Sequence, residues 1–199
     1  MKISSLFVLC MIAFSAVVIA ATVEELTATL AEQIDEAQGV EPNVKTFTKT
    51  LLPHCTNPVF VAAVGKQNAK GLSLDQIKQI DKEWVEAEDE LPIHSELIKN
   101  ACADEIRKII KKNPIIREAF VTDNQGANVG QNDLTSDYWQ GDEAKWQDAY
   151  NDGKGGVHYG KNKFDKSTNT VLQHIGLPII NPDGEVIGAV CYGVAIDEL

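Results

Sequence analysis

The sequence predicts an α+β protein, a helical N-terminal half followed by a five-stranded antiparallel sheet. Before Pro114 the apolar residues recur at helical spacing. After it, β-branched and aromatic runs alternate with Gly, Asn and Asp turn signals. Asn113-Pro114 separates the two regimes, because a residue preceding proline is pushed out of the helical region.

Residues 1–21 read as a signal peptide. Lys2 supplies the positive start, residues 6–19 are apolar, and Ala20 and Ala21 are small enough for cleavage nearby. An uncleaved anchor is the alternative, although the apolar run is short for a membrane span. The expected location is the periplasm or the exterior, with no membrane insertion once the leader is removed.

Residues 22–113 then form a helical lead-in. Thr22 caps a stripe of Val23, Leu26, Leu30 and Ile34. A second segment carries Phe47, Leu51 and Leu52 up to Pro53, and a third runs from Pro58 to about Gly71. Ser73 caps a helix whose stripe is Leu74, Ile77, Ile80, Trp84 and Leu91, closed by Pro92. The last helix is expected from about Ser95 to Lys112, with Lys111 and Lys112 complementing its C-terminal dipole.

Residues 114–199 carry the sheet. Strand one ends near Asp123, and Asn124-Gln125-Gly126 turns into a strand reaching Gln131. A long polar connection follows, with a short helix from about Asp142 to Tyr150. A strand at Val157-His158-Tyr159 precedes two long ones, about 170–180 and 185–196, joined by Asn181-Pro182-Asp183-Gly184 as a type I turn.

The chain has 18 basic and 29 acidic residues, a net charge of −11. Such a surface repels phosphate backbones, so no nucleic-acid partner is expected. Cys10 leaves with the leader. Of the remaining three cysteines, Cys191 lies in an apolar strand, and Cys55 and Cys102, in polar helix-flanking sequence, are the expected disulfide pair.

Three segments resemble the Cache superfamily of extracytoplasmic sensor domains, also called PDC sensors: residues 118–126 (EAFVTDNQG), 135–143 (TSDYWQGDE) and 177–188 (LPIINPDGEVIG). Residues 57–68 with Ile77, Asp81 and Trp84 are similar to the helical lead-in of a stand-alone periplasmic subfamily. The resemblance spans about residues 50–199 and implies a PAS-like sheet with a small-ligand pocket between the sheet and the loop after strand two. Receptors of this family continue from the last strand into a membrane helix. This sequence stops at Leu199, so a soluble binder acting through a membrane receptor or transducer is expected.

The aromatics agree with that placement. Tyr138, Trp139, Trp146 and Tyr150 cluster in sequence too polar for core. Trp146 and Tyr150 share a helix face, with Asp142 one turn earlier. Such rings either close over a small polar ligand or anchor the loop to the sheet as a satellite core. The resemblance places Thr135, Ser136, Asp137, Tyr138, Trp139 and Trp146 near the pocket. His158 and His174, each on a strand, are expected to meet across the sheet as a further ligand contact. The expected ligand is an organic acid, amino acid or amine. The competing expectation is a ligand-free interaction module docking on a membrane receptor.

No enzyme activity, cofactor or metal is expected. The histidines lack metal-ligand spacing. Gly155 to Asn162 mimics a phosphate loop, but Asn162 stands where Ser or Thr must hold magnesium.

Overall fold

The computed structural model describes residues 21–165 and 170–199; the expected leader therefore lies almost wholly outside the described residues. Helices come first: α1 (Val23–Glu36), α2 (Pro42–Leu51), a 3-10 turn (Leu52–Thr56), α3 (Pro58–Asn68), α4 (Leu74–Glu86), α5 (Pro92–Ile98) and α6 (Ala101–Lys112). The strands are β1 (Ile116–Thr122), β2 (Asn128–Gln131), β3 (His158–Tyr159), β4 (Lys163–Asp165), β5 (Thr170–Ile180) and β6 (Val186–Ala195), with α7 (Ala144–Tyr150) between β2 and β3. No described helix is long and apolar enough to cross a membrane.

Caps fix the helix starts. Thr22 with Glu25 and Ser73 with Gln76 each form a reciprocal capping box, satisfying N–H groups that the first turn leaves without intrahelical partners. Two expected boundaries move. The fourth helix ends at Glu86, and Pro92 opens α5 at its first position, where a missing N–H costs nothing. The helix expected from Ser95 is broken at Lys99-Asn100, because the Asn100 side chain caps α6 by accepting from Ala103 N–H.

All strand pairs are antiparallel, in the order β2-β1-β6-β5-β3, with β4 also pairing β5. The expected five-stranded sheet is present, its last edge split into β3 and β4. Gly184, at positive φ, completes the turn before β6, donating to the Asn181 carbonyl.

One core spans both halves of the chain. Ile116, Ala119, Val121, Ile175, Leu177, Val190, Tyr192 and Val194 pack against Leu51, Phe60, Val64, Cys102, Ile106 and Ile109. The opposite sheet face is covered by α7. Gly176 permits this, since a Cβ there would meet the Lys145 carbonyl. A smaller cluster of Ile77, Trp84, Leu97, Ala127 and Tyr138 joins α4 and α5 to the loop after β2.

Cys55, Cys102 and Cys191 are free and buried, so the bridge expected between Cys55 and Cys102 is not formed here. Burial pushes all three thiols up to about 12, far from reactive thiolates. Cys55 and Cys102 belong to the helix-side core, which holds small apolar groups without needing a cross-link.

Tyr192 is fully buried, with its hydroxyl 2.9 Å from His54 Nδ1. Burial lowers the His54 pKa from the ordinary 6.5, outweighing the raising effect of Glu105. The unfolded chain therefore takes up a proton that the native chain refuses, and stability falls as pH drops below 6.5. His54→Gln is expected to flatten this part of the stability–pH curve in denaturant titrations; an unchanged slope would assign it to other groups.

Candidate functional site

The site is built on a bulge. Phe120 pairs with Gln131 and Val121 with Gly130, but Thr122 pairs with Asn128, leaving Val129 as the extra residue. Val129 joins the helix-side core and Gly130 abuts Cys102. Asn128 and Gln131 are thereby both turned to the opposite face, beside Thr122 and Phe120. Strict alternation would have put these two amides on opposite sides.

On that face the amides join the loop in one polar network. Asn128 Nδ2 donates to Thr135 Oγ1 (2.8 Å) and to the Asp137 carbonyl (3.2 Å). The Thr135 hydroxyl lies 3.0 Å from Gln131 Oε1 and 2.6 Å from the Asp137 carbonyl, and can donate to one at a time. Gln140 Nε2 donates to the Asp137 carboxylate. Asn128, Gln131 and Gln140 are almost completely buried, yet Asn128 Oδ1, Gln131 Nε2 and Gln140 Oε1 have no hydrogen-bond partner among the described residues. An orphaned buried polar atom costs about 1–3 kcal/mol. Two acceptors and one donor of a single network are thus left without a protein partner.

Charged groups flank the network. Lys145 Nζ lies 5.4 Å from the centre of the Phe120 ring and 4.0 Å from Glu143, its side chain 17% exposed. Phe120, between Gln131 and Cys191 in register, links the ammonium to the amides. Desolvation raises the Asp137 pKa above the usual 3.8, the Gln140 hydrogen bond opposes it, and the nearby Asp81 charge adds to it. Among the described residues no three His, Cys, Asp or Glu side chains are placed to hold a metal.

The helical lead-in holds the loop. Asp81 Oδ1 accepts the N–H groups of Tyr138 (2.8 Å) and Trp139 (2.9 Å). The Trp84 indole donates to the Thr135 carbonyl at 3.1 Å, and Gln67 donates to the Tyr138 hydroxyl at 3.2 Å.

The residues expected from sequence divide. Thr135 and Asp137 lie in the network, while Ser136 is exposed beside it. Tyr138 belongs to the small core. Trp139 and Trp146 donate their indole N–H groups to the Gln125 (2.8 Å) and Asp123 (3.1 Å) carbonyls, which ties the loop and α7 to the β1–β2 turn. Tyr150 stacks on Trp146, with ring centres 5.1 Å apart. Asp142 is exposed and precedes the Glu143 cap of α7, so it does not share the Trp146 face as expected. His158 and His174 do not form a shared contact. Each faces its own carboxylate, Asp148 at 2.7 Å and Glu118 at 2.6 Å.

Asn128, Gln131, Gln140, Phe120 and Lys145 escaped the sequence reading. For Asn128 and Gln131 the signal was polar residues inside a short strand bounded by turn residues, which only the bulge makes meaningful.

No protein-family model matches the chain, and no curated protein matches it. Solved structures do. The sensor domain of the V. cholerae histidine kinase DctB is 10% identical over 87% of this chain and 54% of that one, TM-score 0.41. The ligand-binding domain of the Campylobacter jejuni chemoreceptor Tlp3 with 4-methylisoleucine is 14% identical over 88% and 61%, TM-score 0.41. The Tlp3 sensory domain with isoleucine is 13% identical over 80% and 66%, TM-score 0.37. The chain thus spans 54–66% of the length of these three sensor domains. At these identities and scores the likeness is distant, and it says nothing of what this chain binds.

Asp81→Ala removes the acceptor of two loop N–H groups and is expected to cost about 2 kcal/mol in chemical denaturation. Asp81→Asn, which keeps one oxygen there, should recover at least about half of that loss. Equal losses in the two variants would show that the charge, rather than the two hydrogen bonds, holds the loop.

Proposed function

We propose that the chain is an exported sensor domain of Cache (PDC) type that binds a small zwitterion of amino-acid class between the sheet and α7. The observation that carries this is the coincidence of three orphaned amide atoms with the partly buried Lys145 side chain on one face of the sheet. The ligand's ammonium is assigned to Asp137 with Asn128 Oδ1 and Gln140 Oε1. Its carboxylate is assigned to Lys145 and Gln131 Nε2. The Phe120 ring forms an apolar floor. Such a set rewards both ends of a zwitterion and leaves a simple organic acid or amine with one end unpaired.

In this proposal residues 1–21 are a cleaved leader, 22–113 brace the loop, and 114–199 form the sensing unit. The bound state is passed to a membrane partner.

Thermal denaturation with amino acids, organic acids and amines tests the reading. An amino acid at about 100 times its Kd is expected to stabilise the fold by about 2.7 kcal/mol, a rise of a few degrees. Lys145→Met and Asp137→Asn should abolish the shift while keeping the fold. A panel without any shift at millimolar concentration would leave the ligand-free docking module as the better account.

Acid should also weaken binding. The Asp137 carboxylate must be ionised to hold an ammonium, and its pKa is raised. Affinity is therefore expected to fall as pH drops towards that raised value, earlier than an ordinary aspartate would allow, and an affinity that stays constant across this range would remove Asp137 as the ammonium's partner. Calorimetric titrations between neutral pH and pH about 4.5 check it.

A further inference from the structure

A cavity lies on the helix side of the sheet. It is a cleft of about 720 Å³ between α3 and the α5–α6 junction, floored by Val129. Val59, Ala62, Ala63, Leu97 and Ala101 supply most of its apolar wall. Its size is that of a small-molecule site.

Two independent features say what fits it. The first is the composition of α3, PVFVAAVGKQN, which is apolar around much of its circumference. A helix of that kind is normally covered on every side. Here Phe60, Val64 and Gln67 are buried, while Pro58 and Ala62 face the cleft uncovered. The second is charge. Lys66 on α3 and Lys70, two residues past its end, line the same cleft and form no salt bridge among the described residues. These two ammonium groups place positive charge on one rim of the cleft in a chain of net charge −11. Glu96, on the α5 side, places the preferred position of an anion against α3 instead of in the middle.

We infer that this cleft binds a small amphiphilic carboxylate, an aliphatic or aryl acid whose apolar body lies on Ala62, Ala63 and Leu97 and whose carboxylate meets Lys66 and Lys70. The site is separate from the zwitterion site, which lies across the sheet and uses none of these side chains. Gln67 links the cleft to the loop: it lines the cleft and donates to the Tyr138 hydroxyl at the base of the loop. An occupant of the cleft therefore rests against a side chain that positions the loop.

Calorimetric titration with sodium octanoate tests this, with 1-octanol and octylamine as the uncharged and cationic counterparts. Octanoate is expected to bind saturably at one site per chain. The Lys66→Glu/Lys70→Glu double variant should weaken it at least about tenfold, and added salt should weaken it in the wild type. Ala62→Trp, which fills the cleft, should abolish binding. Both lysines are exposed, so the double variant is expected to keep the wild-type melting temperature and decides the matter if Ala62→Trp fails to fold. Lys145→Met should leave octanoate affinity unchanged, which separates failure here from failure of the zwitterion site. The inference is overturned if octanoate shows no saturable binding, if 1-octanol or octylamine binds as tightly, or if the lysine reversals leave its affinity unaltered.

Discussion

A single extra residue in β2 decides which side chains face the loop. With Val129 bulged towards the helices, Asn128 and Gln131 stand side by side on the far face, where they meet Thr135, Asp137 and Gln140. Without the bulge one amide would enter the helix-side core, among Val121, Cys102 and Ile106, and an unpaired amide in that setting is costly. The bulge is thus what makes a buried polar network compatible with an apolar core on the other face of the same strand.

The helical half and the sheet depend on each other through this loop. Asp81, Trp84 and Gln67 come from α3 and α4, and each holds a backbone or side-chain group of residues 135–139. The loop is therefore positioned by elements outside the sheet. Trp139 and Trp146 close the other end by hydrogen bonding to the β1–β2 turn, so their indoles act as struts. Of the two expectations for these rings, anchoring the loop is the one their hydrogen bonds meet, since a buried indole N–H needs an acceptor and the turn carbonyls supply it.

Local signals in the sequence proved readable where a residue type has one dominant use. Thr22 and Ser73 cap helices, Gly126 and Gly184 take positive φ in turns, and the long apolar runs of β5 and β6 form the sheet centre. Pro92 misled because proline both ends and begins helices, and nothing local distinguishes the two. Asn100 was hidden inside a helical stripe, since an asparagine can cap a helix or sit within one. The site was legible only in part. Thr135 and Asp137 belong to the loop that the family resemblance marks, whereas Gln131 and Lys145 are brought to it by strand register and by the close approach of α7 over Gly176, both tertiary facts.

The central claim is that the amides of Asn128, Gln131 and Gln140 are completed by a guest. Side-chain NH2 resonances of these three residues, followed by NMR as a mixture of the common amino acids is added, report on that directly. The account predicts saturable shifts in all three together, larger than those of any exposed amide. Saturating additions that leave these resonances in place, or that move only amides elsewhere on the surface, would contradict it.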